Sequence, residues 1–227
     1  METRHIRKDS PHPRVDLCLP VLYFPPVSWF VAARQAAGIT LGLPEPYRKQ
    51  TYRNRCAILT ANGKMTLTVP VHKSTLRTAF TEVRIDHSKP WGRLHWRALT
   101  SAYNRSPFFL YYQDALHPFF HESTEISLYQ YNLKLINTLF ELLAWGDGSA
   151  KCRLAGQDKS CDETAAVYLP SKDGNGLIAP DLLEPYTQVF LQDKGFLPDL
   201  SILDLLFNLG PESLAYLERQ WAVISDQ

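Results

Sequence analysis

The sequence predicts an α/β protein: a mixed sheet with a βαβ-type opening and a β-hairpin, packed by helices, with a helical C-terminal part. Three observations carry that prediction. First, two short apolar runs, LCLPVLYF (residues 17–24) and ITLGL (residues 39–43), flank PPVSWFVAARQAAG. Near-continuous apolar runs suit strands buried on both faces, and a helix between two of them makes a parallel pair. Second, TYRNRCAIL and KMTLTVPV flank Ala61-Asn62-Gly63, and Asn-Gly between two apolar runs is the strongest short-range hairpin signal. Third, from Trp91 onward the apolar period changes to that of a helix.

Each element follows from local chemistry. Pro26 suits a first helical turn and Gly38 a helix stop. AFTEVRID (residues 79–86) alternates apolar and polar residues and predicts a further strand. Trp91, Leu94, His95, Ala98, Leu99, Ala102 and Tyr103 share one face of an amphipathic helix, with Arg93, Arg97, Ser101 and Asn104 on the other side. Pro107 should end it or begin the next turn. PFFLYYQDALHPFF predicts a short aromatic helix, and SLYQYNLKLINTLFELLAW a largely buried one closed by Gly146. Residues 146–181 hold GDGS, GQDKSCDE and SKDGNG and read as a flexible segment. In SILDLLFNLG, Ser201 precedes Asp204 by three residues in the manner of a capping box, and Gly210 is a stop. Pro211 then opens a last helix carrying Leu214 and Leu217. The expected organisation is a tail over residues 1–16 and a single domain over 17–227.

Composition narrows the function classes. The 227 residues are 45% hydrophobic and 12% aromatic, enough to fill a sizeable core. A net charge of +1 gives no general attraction to nucleic acid or anionic membrane, so no DNA partner is expected and any anion site must be local. No run approaches the roughly 18 apolar residues of a membrane span. The N-terminus METRHIRKDSPHPRVD is basic and polar without an apolar h-region, so it is not a secretory signal and a cytoplasmic protein is expected. Cys18, Cys56, Cys152 and Cys161 form no CxxC pair and have no histidine at zinc-finger spacing, which excludes the usual structural zinc motifs. Four scattered cysteines suit a reducing compartment, and Cys56 reads as a small buried hydrophobe. GxSxG, HExxH and Walker patterns are absent from the sequence.

The residue-level candidates centre on YRKQTYRNRCAI, residues 47–58, where Arg48, Lys49, Arg53 and Arg55 crowd one polar stretch. In an extended strand, Arg53 and Arg55 share a face with Thr51 and Lys49, while Tyr52 and Asn54 point the other way with Gln50 and Arg48. Arginine forks suit a carboxylate or phosphate, and amides suit sugar hydroxyls. The competing reading is a solvated strand end whose charges hinder edge pairing. His95 lies inside an apolar stripe, where a satisfied core histidine is commoner than a catalyst; below a cleft it would be a general base. Tyr23 stands in YFPP, at the C-terminal end of the first predicted strand, where open parallel sheets bind ligands. That turn lacks a dinucleotide or P-loop glycine pattern, so it also reads as a rigid strand-to-helix corner.

Four ordered blocks carry a resemblance: LYFPPVSWF, YRKQTYRNRCAI with TLTVPV, HWRALTSAYNRSPFF, and FLPDLSILDLLFNLGPES. Together they resemble the WbqC-like family of bacteria, in the form common in Bacteroidetes, and cover most of residues 17–217. Many members begin the first block with Gln-Pro; here Leu19-Pro20-Val21-Leu22-Tyr23 stands in that place, so a role for that glutamine is not carried over. The resemblance implies a transferase of surface-polysaccharide (O-antigen-like) synthesis that moves glycine or a related acyl group to an amino sugar. Under it, Arg53 and Arg55 would hold phosphates or a carboxylate of an activated sugar or acyl donor. Gln50, Tyr52, Asn54, Tyr23 and Tyr103 would position the ligand, and His95 would take a proton from the attacking amine. No cofactor or metal is implied. The alternative is a non-catalytic sugar- or protein-binding component of the same pathway. Nothing in the sequence sets the oligomeric state.

Overall fold

The computed structural model describes residues 16–42, 47, 50–73, 78–121, 126–145, 151–154, 166–167 and 180–225. The opening is a βαβ unit. Strand β1 (Leu17–Leu19) leads through helix α1 (Val27–Gln35) to β2 (Gly38–Leu41), and β1 and β2 pair in parallel with Leu17 opposite Ile39. Seven of the nine α1 residues are buried, consistent with its lack of a polar face. The helix ends before Gly38, which instead begins β2.

Two further strands complete this sheet: β5 (Lys151–Leu154) and β6 (Ala166–Val167), in the order β5-β2-β1-β6, all parallel. Both fall inside the 146–181 segment that the sequence reads as a flexible connection. The remainder of that segment up to residue 179, the 1–15 tail and Gly146 lie outside the described residues. Cys18, in β1, is disulfide-bonded, against the reading of four reduced cysteines, whereas Cys56 is a free, buried thiol as expected.

The hairpin forms a separate two-stranded sheet. Strand β3 (Arg55–Thr60) pairs antiparallel with β4 (Gly63–Thr68). Gly63 closes the turn at φ 100, a value that a side chain rarely adopts. The α/β class, the βαβ opening and the hairpin are thus present, with the parallel and antiparallel strands divided between two sheets. The predicted strand over 79–86 is not: Phe80–Glu82 is a 3-10 turn, and only isolated bridges, Val71 with Ile85 and Arg84 with Ser127, follow it. Its alternation still has a cause, because Val83 and Ile85 are buried while Glu82 and Arg84 are exposed.

Helices close the remaining faces. They are α2 (Trp91–Tyr103), α3 (Phe109–Leu116), α4 (Pro118–His121) and α5 (Leu128–Leu142). The predicted α2 stripe is buried except at Leu94, which is 54% exposed, and at partly buried Ala98. Ser127 and Gln130 form a full capping box at the start of α5. Helix α6 (Leu191–Lys194) precedes α7 (Ile202–Leu209), whose N-cap is Ser201; Gly210 ends α7 at φ 54. The last helix, α8 (Ser213–Ser225), packs on α1. Asp204 does not complete a capping box. Its carboxylate turns inward, and the Ser201 hydroxyl accepts from the Leu203 N–H while donating to the Phe24 carbonyl.

The YFPP corner is pinned against the chain just before α7. Val27 N–H donates to the Leu200 carbonyl at 3.0 Å and Ile202 N–H to the Pro25 carbonyl at 2.9 Å. Just before them Phe24 sits at φ 41, fully buried. A bulky residue in that region is strained, and it persists only where its surroundings fix it.

Candidate functional site

The donor-rich stretch does not continue β3 as an extended strand. Residues 51–54 form a turn in which Asn54 N–H donates to the Thr51 carbonyl at 3.2 Å. Side chains in a turn do not alternate, so the expected division of Arg53 and Asn54 onto opposite faces fails; both are buried, each 6% exposed. The cause is local. Asn54 is tied at both ends to Val69, through its carbonyl (2.8 Å) and its side-chain amide (3.0 Å), and this bends the chain ahead of Arg55.

Around this turn a polar cluster assembles. Asn132, wholly buried on α5, donates its amide to the Arg53 carbonyl at 2.8 Å. The Arg53 guanidinium lies over the Phe80 ring, 5.5 Å from its centre, and Tyr47 stacks on the same ring at 6.1 Å. Burial pushes the Tyr47 phenol up, and the charges of Arg53 and Arg55 pull it back. Four buried polar atoms here have no hydrogen-bond partner: Tyr47 OH, Asn54 Oδ1, Arg55 Nε and Asn132 Oδ1. Among the described residues only Thr100 Oγ1 shares that condition. Buried polar atoms are nearly always paired, so these four call for a partner, whether water or a ligand. The unpartnered groups are a cationic N–H donor, a phenol and two amide oxygens.

Of the residues singled out from sequence, Arg53, Asn54 and Arg55 meet here. Gln50 is exposed at φ 62, at the rim. Lys49 and Arg48 lie outside the described residues. Tyr52 is half-buried, and its backbone carbonyl accepts from Tyr23 N–H at 2.9 Å. Tyr47 and Asn132 were missed. Tyr47 belongs to the quoted stretch, but Asn132 sits mid-helix, and no sequence pattern links it to residue 53.

Tyr23 and His95 form a second, enclosed pair. The Tyr23 hydroxyl lies 2.9 Å from His95 Nδ1, and Tyr23 stacks on Tyr131 at 6.2 Å. Burial lowers His95 to about 4, partly opposed by donation to the Thr68 carbonyl. The neutral ring thus accepts from Tyr23 and donates to Thr68. A histidine lowered on folding binds fewer protons than in the unfolded chain, so its stabilisation is complete above its ordinary value near 6.5 and disappears as the pH falls toward 4. The shift corresponds to about 3 kcal/mol. His95→Gln should therefore show a flatter loss of stability between pH 6.5 and 4.5 than the parent in urea unfolding. An unchanged slope would place the acid sensitivity elsewhere.

Tyr103 belongs to neither group. Its hydroxyl accepts from Leu59 N–H at 3.1 Å and donates to Asp204 Oδ1 at 2.8 Å. Asp204, wholly buried, also accepts from Tyr186 OH at 2.7 Å and Gln188 Nε2 at 2.9 Å. Burial raises the Asp204 carboxyl while these donors hold it down.

The model of the WbqC-like protein family matches residues 22–162, which include the corner, the hairpin and the whole polar cluster. The chain belongs to the WbqC-like protein family. This WbqC-like protein is also similar to an uncharacterized protein of Mycobacterium tuberculosis, Rv1507c, at 30% identity over 200 residues, covering 75% of this chain and 83% of that one. No solved structure matches it. Among the described residues of this WbqC-like protein, no helix is long and apolar enough to cross a membrane.

Proposed function

We propose that this WbqC-like protein is a cytoplasmic transferase of bacterial surface-polysaccharide synthesis that moves glycine or another acyl group to an amino sugar. The observation that supports a binding role is the set of unsatisfied buried groups on Tyr47, Asn54, Arg55 and Asn132. Arg53 and Arg55 supply positive charge for the phosphates of an activated sugar, or for the carboxylate or phosphate of an acyl donor. His95 is better suited to fixing Tyr23 than to taking a proton from the attacking amine, because a ring near 4 is a weak base at neutral pH.

That engagement of His95 favours a second reading, a non-catalytic sugar-binding component of the same pathway. Turnover separates the two: the transferase yields acylated sugar, whereas the binder holds ligand without product.

Thermal shift with nucleotide amino sugars, acyl thioesters and simple anions, on the parent and on Arg55→Ala, tests the shared premise. A ligand at about 100 times its Kd adds about 2.7 kcal/mol, a shift of roughly 5–10 °C for a chain of this size. The parent should respond to one ligand class and Arg55→Ala should not. A large drop in Tm with an unchanged ligand response would make Arg55 structural.

A further inference from the structure

We infer that the cavity between the start of α2 and α4 is a phosphate-binding site, with Lys89 and Arg93 taking the charge and His87 and His121 supplying further polar partners. The inference goes beyond the function proposed above and uses none of the residues assigned there.

The cavity measures about 290 Å³, and Lys89, Arg93, His87 and His121 all line it. Among the described lining residues there is no Asp or Glu. The whole chain balances 24 Lys and Arg against 23 Asp and Glu, so this is a local excess of positive charge in a concave place.

The two cations are not neutralised. Among the described residues the only ion pair joins Arg34 to Glu218. Asp86 does not line the cavity; it is held low first by its hydrogen bonds from Ser88, and only after them by the charges of His72 and Lys89. Lys89 and Arg93 are both exposed. His121 Nδ1 donates to the His117 carbonyl at 3.3 Å, which leaves Nε2 as the ring atom open to a ligand. The backbone adds to the same sign. In the first turn of α2, Trp91 N–H donates to the Lys89 carbonyl and Leu94 N–H to the Pro90 carbonyl, while those of Gly92 and Arg93 have no acceptor among the described residues. No side chain caps this end, and no acidic residue stands in its first turn.

The ligand class follows from charge and valence. A carboxylate brings one charge and two oxygens, too few for two separate cations and an imidazole. Sulfate brings two charges but no O–H for Nε2 of a neutral His121. A phosphate group brings both, with oxygens enough for Lys89 and Arg93 together. Phe119 and Phe120 line the same cavity and give an ester's apolar group a surface to rest on.

The test is calorimetric titration of the full chain at low salt with inorganic phosphate, phenyl phosphate, sulfate and acetate. The phosphates should bind more tightly than sulfate and at least about tenfold more tightly than acetate. Arg93→Ala should weaken phosphate binding by at least about tenfold, the loss of one charge-assisted hydrogen bond, and Lys89→Ala should weaken it as well. Arg97→Ala, exposed on α2 but outside the cavity, should leave it unchanged, and so should Arg55→Ala. Tighter binding of phenyl phosphate than of inorganic phosphate assigns the site to a phosphate monoester, and equal binding to free phosphate; either supports it. No phosphate binding overturns the inference. So does an equal loss in Arg97→Ala, which means diffuse surface charge, and so does equal affinity for sulfate or acetate. A loss in Arg55→Ala alone overturns it while leaving the function proposed above standing.

Discussion

Gly92→Ala should lower the Tm by roughly 6–12 °C, the counterpart of about 3 kcal/mol of overpacking in a chain of this size. Gly92 lies in the first turn of α2, where that helix crosses α4. A Cβ there would overlap the Phe120 carbonyl oxygen and come within 3.0 Å of its carbon. The obstacle is backbone, which cannot rotate away, so α4 must shift as a unit. Phe120 stacks on Phe24 at 5.7 Å and lies 5.5 Å from Trp96. The displacement would thus reach the one residue of the YFPP corner held at positive φ. The neighbouring Arg93→Ala, at an exposed position, should change Tm by little. A parent-like Tm for Gly92→Ala in calorimetry would show that the α2–α4 crossing can open without cost.

Asp204→Ala should destabilise the protein by about 3–5 kcal/mol. It would leave the hydroxyls of Tyr103 and Tyr186 and the amide of Gln188 without their acceptor, all three in the interior. Asp204→Asn keeps an acceptor oxygen and should cost much less. The two variants also separate a pH effect. A carboxyl raised on folding binds more protons in the native state than in the unfolded one, so its contribution to stability falls as the pH rises from about 4. This opposes the His95 effect, in which stability rises with pH over the same range. Asp204→Asn should therefore steepen the net gain in stability from pH 4 to 6.5, and His95→Gln should flatten it. Urea unfolding at four or five pH values reads both, and slopes unchanged in both variants would remove these two groups from the pH response.

The network around Asp204 also explains how distant blocks of the sequence depend on each other. Tyr103 closes α2, Leu59 lies in β3, and Tyr186 and Gln188 precede α6. The YFPP corner meets residues 200–202 through backbone hydrogen bonds. The polar cluster is joined to α5 by Asn132. The four motif blocks are thus one connected core.

Much of this was decided by the sequence alone. Apolar runs around a helix-length spacer set the parallel β1–β2 pair, because strands buried on both faces need no alternation. Asn62-Gly63 set the hairpin, because its turn requires a backbone conformation glycine adopts freely. The 3.6-residue period set α2 and left only Leu94 and Ala98 less buried than the stripe implied. The crowding of Arg53, Asn54 and Arg55 was visible as composition. Tertiary structure decided the rest. Strands β5 and β6 are four and two residues long, too short to show a period, and exist by pairing with neighbours already in place. Residues 79–86 alternate but find no continuous partner strand, so the pattern became a 3-10 turn with bridges. Asp204 reads as a capping residue until Tyr103, Tyr186 and Gln188 converge on it. Asn132 joins the site only because α5 carries it to the Arg53 carbonyl. Local patterns encode which face of an element is buried; which polar atoms meet inside, and which are left without a partner, depends on contacts between residues far apart in the chain.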